Sequence, residues 1–189
     1  MDRFSSGGFV ILVDDPEREN EGDLLLSADF VTAELINFML NNAKGMLHLA
    51  MSQDELSRLN LELIPTRNSD QNTPRFAYPF DALNGISTGI STEDRAATIR
   101  VAIDKNSGPN DIIIPGHIYP LAAHPAGLLG RRGHTEGSVA LASACGVSPA
   151  VLMSEILTAD GRMARGEELI EFSDRLDIPI IDIQTISGL

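Results

Sequence analysis

The chain has 189 residues, little more than the roughly 150 expected per domain, so the sequence predicts a single domain over 1–189 with a core that needs no staples. Its 14 basic and 27 acidic residues leave a net charge of −13, which repels nucleic acid and anionic lipid at long range and argues against generic binding to either. The single cysteine, Cys145, excludes an internal disulfide or a cysteine-built metal site, and neither a signal-peptide-length apolar stretch at the N-terminus nor a membrane-spanning stretch is present, so a soluble cytoplasmic protein is expected.

In chain order, residues 9–13 are a short apolar, β-branched run ended by Asp14-Asp15-Pro16, and they predict a buried strand. Residues 24–26 are its expected partner. Thr32 suits the N-cap of a helix that places Leu35, Ile36, Met39, Leu40 and Ala43 on one face and ends at Gly45. Residues 46–51 predict a strand, and Ser52 with Glu55 three positions on predicts a capping box opening a short helix. Residues 65–90 hold turn formers and short extended pieces. Ser91 or Thr92 caps a helix reaching about Ile103, and 109–116 reads as a loop around Ile112-Ile113-Ile114. A small-residue helix follows over 135–145, closed by Gly146. A strand over 151–157, a turn at Asp160-Gly161, a helix over 167–176 and a strand over 178–183 complete the chain. Strands and helices mix without strict βαβ alternation. The fold class expected is therefore α+β: a mixed sheet covered by helices in three layers.

Chemistry concentrates in two places. Six of the ten residues from Asp14 to Asp23 are carboxylates, with Arg18 alone among them. A solvated acidic loop is the plain reading of such a run. This run, however, joins two strand candidates, and hard oxygen ligands beside one arginine suit Mg²⁺ together with a sugar phosphate. The second place is Gly130-Arg131-Arg132-Gly133-His134-Thr135, directly before the small-residue helix, where a helix N-terminus, two arginines and a hydroxyl form a candidate phosphate cradle. A well-capped basic helix start is the alternative there. His134 could complete a metal site with a carboxylate of the acidic loop.

Further candidates are scattered. His117, on a Pro-Gly turn, could act as general acid or base, while His124 reads as an ordinary loop histidine. Glu155 follows Val151-Leu152-Met153-Ser154, and a carboxylate on a buried strand is costly unless paired, metal-bound or neutral, which makes it a functional candidate. An edge strand that turns Glu155 to solvent is the alternative. The hydroxyl-rich Ser87-Thr88-Gly89-Ile90-Ser91 is either an anion contact or helix capping. Cys145 reads as core filling. No dinucleotide-binding glycine motif, P-loop, zinc-protease motif or nucleophile elbow occurs.

Five ordered motifs carry a family resemblance: Asp14-Asp15-x-x-Arg18-Glu19-Asn20-Glu21-Gly22-Asp23, Thr88-Gly89-Ile90-Ser91-x-x-Asp94-Arg95, Pro115-Gly116-His117, Arg131-x-Gly133-His134-Thr135-Glu136 and Asp160-Gly161-x-Met163-Ala164-Arg165. From about residue 10 to the C-terminus the chain resembles the 3,4-dihydroxy-2-butanone 4-phosphate synthases of riboflavin biosynthesis. The resemblance implies an α+β homodimer with active sites near the subunit interface. It also implies a Mg²⁺- or Mn²⁺-dependent lyase that converts D-ribulose 5-phosphate to L-3,4-dihydroxy-2-butanone 4-phosphate and formate. On the same grounds Glu19 and His134 would bind metal. Arg18, Glu19, Asp23, Thr88, Arg131, Arg132, Gly133, His134 and Thr135 would hold substrate, and His117 and Glu155 would be catalytic. The chemistry agrees with the residues, because taking a proton beside a ketone needs a base and a nearby cation.

The sequence also departs from that pattern. His48 stands where a cysteine is usual, Arg75-Phe76-Ala77-Tyr78-Pro79-Phe80 replaces a hydroxyl-rich strand, Ser154 stands where cysteine is common, and the helix before the first strand is short. Two alternatives therefore stay open: a divergent paralogue acting on another sugar phosphate, and a catalytically silent sugar-phosphate-binding protein. A fused cyclohydrolase domain does not fit in 189 residues, so a monofunctional form is expected.

Overall fold

In the computed structural model, which describes residues 1–68, 70 and 73–187, the acidic run becomes the connection of a β-hairpin. The hairpin strands are β1 (Val10–Val13) and β2 (Gly22–Ser27), antiparallel with Val10 opposite Leu25 and Val13 opposite Gly22. Beside β2 lies β6 (Ala150–Glu155), then β3 (His48–Met51), both antiparallel to their predecessor. The eleven-residue β5 (Ile112–Ala122) runs parallel to β3. Short strands close the edges, β4 (Phe80–Ala82) on β5 and β7 (Ile180–Asp182) on β1, giving the order β4-β5-β3-β6-β2-β1-β7 among the described residues.

Both faces of this sheet are buried, which is why its central strands read as continuous apolar runs rather than alternating ones. Ile11, Leu24, Leu26, Leu49, Met51 and Leu152 enter one core, packed with Ile36 and Met39 of α2 (Ala33–Asn42), Leu56 of α3 (Gln53–Arg58), Ile99 of α4 (Thr92–Ile103) and Phe172 of α6 (Glu167–Leu176). Their neighbours Val10, Leu12, Leu25, Ala50, Val151 and Met153 enter the other core. That face is covered by α5 (His134–Ala144), α7 (Ile183–Ser187) and Phe4 of α1 (Asp2–Ser5). The three-layer α+β arrangement is as expected. No described helix is long and apolar enough to cross a membrane.

Most helix caps follow the local signals. Thr32 accepts from Leu35 N–H, and Ser91, rather than Thr92, accepts from Asp94 N–H. Ser52 accepts from Glu55 N–H, but the Glu55 carboxylate turns to Arg58 and Lys105, so the box is not reciprocal. The residue after the α2 cap that takes a left-handed conformation is Lys44 (φ 71), not Gly45. Gly45 is needed for space: a Cβ there would sit 2.5 Å from both the backbone oxygen and Oε2 of Glu155.

The largest correction concerns residues 109–116. Only Pro109–Asp111 is a turn, and the apolar triplet opens β5. Proline and glycine argue against a strand because one lacks a ladder donor and the other weakens pairing. Here β4 pairs Phe80 with Ile118 and Asp81 with Ile113, so the irregular register passes over 114–117 and asks no ladder bond of Pro115. Gly116 lets the two backbones meet, since a Cβ there would lie 2.1 Å from the Phe80 carbonyl carbon. Along the same edge, Phe76 bridges to Leu121 and Ala77 N–H donates to Pro120. The final predicted strand is shorter than expected and gives way to α7 at Ile183.

Candidate active site

The floor of the candidate site follows from sheet alternation. Asp23 shares its face of β2 with the core residue Leu25, and Glu155 is its direct partner on β6. His48, opposite Met153, lies on the same face of β3, diagonal to Glu155. Together with Arg18, Arg131 and His134 these three line a cavity of about 310 Å³ over one end of the sheet. Because β6 lies between β2 and β3, Glu155 is on a central strand, and the edge-strand alternative falls.

The acidic run is an organised loop and not a solvated one. Asp14 is fully buried and acts as its hub. Asp14 accepts from Glu21 N–H at 2.9 Å and from the Arg18 guanidinium at 2.6 Å, and Arg18 also binds Glu19 at 2.7 Å. Arg165, in the connection between β6 and α6, fastens the loop from outside by pairing with the Glu21 carboxylate and donating to the Glu19 carbonyl at 3.1 Å. His134 reaches in from the first position of α5, its Nε2 lying 3.2 Å from the Glu21 carbonyl. One ligand atom each from Asp14, Glu19 and His134 lies within 4.8 Å of the others. Two carboxylates and an imidazole suit a hard divalent cation, and Arg18 Nε, buried without a partner among the described residues, keeps a donor for an oxygen ligand beside it.

Next to this loop, burial pushes the Asp23 carboxyl up to about 6, opposed by nearby His134 and reinforced by Glu155 across the strand pair. Glu155 is held from β6 by the turn after α2: Met46 N–H donates to its Oε2 at 2.9 Å, and Gly45 N–H donates to its carbonyl at 3.2 Å. His48 faces the other carboxylate oxygen, with Nδ1 3.6 Å from Oε1.

The two arginines of the expected cradle part company. Arg131 is buried and pairs with buried Glu136 at 2.7 Å, while Arg132 is exposed and does not line the cavity. Gly133 caps α5 without a side-chain bond, and its Cβ would meet the Arg131 guanidinium at 2.2 Å. Its role is to let Arg131 fold under the helix start, where Thr135 lines the cavity. His124 is structural, as expected: its Nδ1 accepts from Ala126 N–H and its own N–H donates to Glu136.

A second cluster sits on the β4–β5 edge. His117 N–H donates to Asp81 Oδ1 at 2.9 Å and its Nδ1 lies 2.7 Å from Asp81 Oδ2. Beside it, the amides of Ser87, Thr88 and Gly89 all donate to Asp94, whose carboxyl the Ser87 bonds hold below its usual range. Those N–H groups serve an internal carboxylate, so the Ser87–Gly89 backbone is a helix cap. Neither His117 nor Thr88 lines the 310 Å³ cavity.

Residues 1–188 match the family described as 3,4-dihydroxy-2-butanone 4-phosphate synthase. The chain belongs to that family. Riboflavin biosynthesis protein RibBA of Synechocystis is 46% identical over 180 residues, covering 94% of this chain and 32% of that protein. The 3,4-dihydroxy-2-butanone 4-phosphate synthase of Neisseria meningitidis serogroup A is 44% identical, covering 92% and 48%. The synthase of Desulforapulum autotrophicum is 40% identical over 188 residues, covering 100% and 87%. The chain thus spans a third to a half of the first two relatives. Among solved structures, a synthase in complex with two magnesium ions superposes with a TM-score of 0.90 at 33% identity, over 97% of this chain and 90% of that one.

Within this synthase fold, Arg18, Glu19, Asp23, Arg131, His134, Thr135 and Glu155 line one cavity. Arg132, Thr88 and His117 do not. Sequence reasoning passed over the hub role of Asp14, although it opens the acidic motif. It also passed over Arg165, which ends the last motif, and Asp81, which no local signal marks.

Proposed function

We propose that this chain is a divalent-metal-dependent carbon–carbon lyase that converts D-ribulose 5-phosphate to L-3,4-dihydroxy-2-butanone 4-phosphate and formate. The observation that carries this reading is the convergence of a central-strand carboxylate, Glu155, with the Asp14–Glu19–His134 group and the open start of α5 around one cavity. The start of α5, with Thr135 and buried Arg131, receives the phosphate and anchors the far end of the sugar. Glu155, fixed at Oε2 by Met46 N–H, takes the proton from the carbon beside the ketone. Asp23, with its carboxyl near 6, binds a sugar hydroxyl and holds or releases a proton near neutral pH. Asp14, Glu19 and His134 would hold Mg²⁺ or Mn²⁺, which when bound supplies positive charge beside the reacting oxygens.

His117, oriented by Asp81, serves as a second acid–base group, and in our reading it reaches a cavity from a second copy of the chain. Its surroundings support that: Ile90, Ile113, Ile114 and Leu83 are exposed around the β4–β5 edge, an apolar patch of the kind that self-association covers. The decisive test is formate release from D-ribulose 5-phosphate with and without Mg²⁺. We expect metal-dependent formate that falls at least ~10³-fold in Glu155→Gln, the scale of losing a positioned base. Substrate binding without formate would instead favour a paralogue with a rebuilt pocket.

A further inference from the structure

The cavity contains a group that none of these roles uses. His48 is 4% exposed, lies on the same sheet face as Glu155 and Asp23, and its Nε2 is buried without a hydrogen-bond partner among the described residues. A buried imidazole nitrogen left unsatisfied carries a desolvation cost, so such an atom calls for a functional reason. From β6, Glu155 faces the ring, and its carboxylate is the charge beside it. From the segment outside β5, Phe76 packs its ring edge-on at 5.5 Å, and the strand partners on either side are Tyr119 and Met153. The apolar side fixes the plane of the imidazole, while the Glu155 side offers Nδ1 a negative acceptor at 3.6 Å, just beyond hydrogen-bond range. Catalytic contacts of this length tighten when substrate binds. Burial also favours the uncharged ring, which then has one N–H to give.

We propose that His48 is a positioning residue for Glu155, giving its Nδ1–H to the free carboxylate oxygen and leaving Nε2 as an acceptor for a hydroxyl of the sugar phosphate. Glu155 is thereby held from two sides, by Met46 N–H at Oε2 and by His48 at Oε1. The inference rests on the lyase reading for its kinetic consequence, but not for its geometry.

Two measurements test it separately. In ¹⁵N spectra of the full chain, the His48 ring is expected as the Nδ1–H tautomer, with ring shifts that move in Glu155→Gln. An Nε2–H tautomer, or shifts indifferent to Glu155→Gln, overturns the proposal whether or not formate is made. In formate release, His48→Asn, whose amide reproduces the Nδ1 donor but not the Nε2 acceptor, is expected to keep kcat within about threefold of wild type while KM rises. His48→Leu is expected to show a similar rise in KM and, in addition, to lose about 10²-fold in kcat, the scale of a misplaced catalytic group. Equal kcat in wild type and a folded His48→Leu also overturns it. If wild type makes no formate, the lyase reading fails and the spectra alone decide the role of His48.

Discussion

Asp23 shows how a single side chain can trade stability for chemistry. Its carboxyl is near 6 when folded, against 3.8 when free, so between about pH 4 and 6 the folded chain binds more protons than the unfolded one. Stability from this group is therefore present at low pH and is lost as pH rises through 6. Two pH units correspond to on the order of 3 kcal/mol. In EDTA, Asp23→Asn should raise the melting temperature at pH 7.5 and change it little at pH 4.5; with Mg²⁺ present it should lower formate release. Equal melting temperatures at both pH values would show that Asp23 is charged without cost. Glu155, by contrast, keeps an open side toward the cavity and two backbone contacts from the turn after α2.

At the scale of elements, Arg165 bears on the acidic loop and Gly116 on the β4–β5 edge. Arg165 fastens the loop by an exposed pair and a carbonyl bond, and exposed pairs contribute little to global stability, roughly 0–1 kcal/mol. Its effect belongs to the order of the loop. Arg165→Ala should leave the urea midpoint almost unchanged while weakening Mn²⁺ binding, followed by electron paramagnetic resonance, about tenfold or more. Gly116 acts differently, because a methyl group there meets the Phe80 and Asp81 backbones. Gly116→Ala should cost about 1–3 kcal/mol in urea unfolding and displace Asp81, and with it His117.

For the whole molecule, the two clusters define a requirement on assembly. Glu155, Glu19 and His134 line one cavity, His117 and Thr88 stand on the apolar β4–β5 edge, and our reading unites them only across two copies. Ile113→Asp should yield a monomer by sedimentation and abolish formate release. Refolding Glu155→Gln together with His117→Ala should restore about a quarter of wild-type activity, the share expected of one intact site in half of randomly paired dimers. If the mixture stays inactive while each parent still dimerises, both groups work within one chain.

The sequence by itself determined the longer helices, the apolar central strands and the residue types of the cavity, because caps, periodicity and local motifs are short-range signals. Thr32 and Ser91 cap as their neighbours require, and Glu19 and His134 come together as their motifs suggested. Local rules misread 109–116, where a proline and a glycine sit in a strand only because a partner edge skips one and presses against the other. They also assigned both Arg131 and Arg132 to one cradle, although a buried Glu136 selects the first and solvent takes the second. The place of Glu155 on a central strand, the hub role of Asp14 and the pairing of His48 with Glu155 were decided by tertiary structure alone. Each depends on which strands become neighbours, and strand order is set by burial of both sheet faces across long separations in the chain.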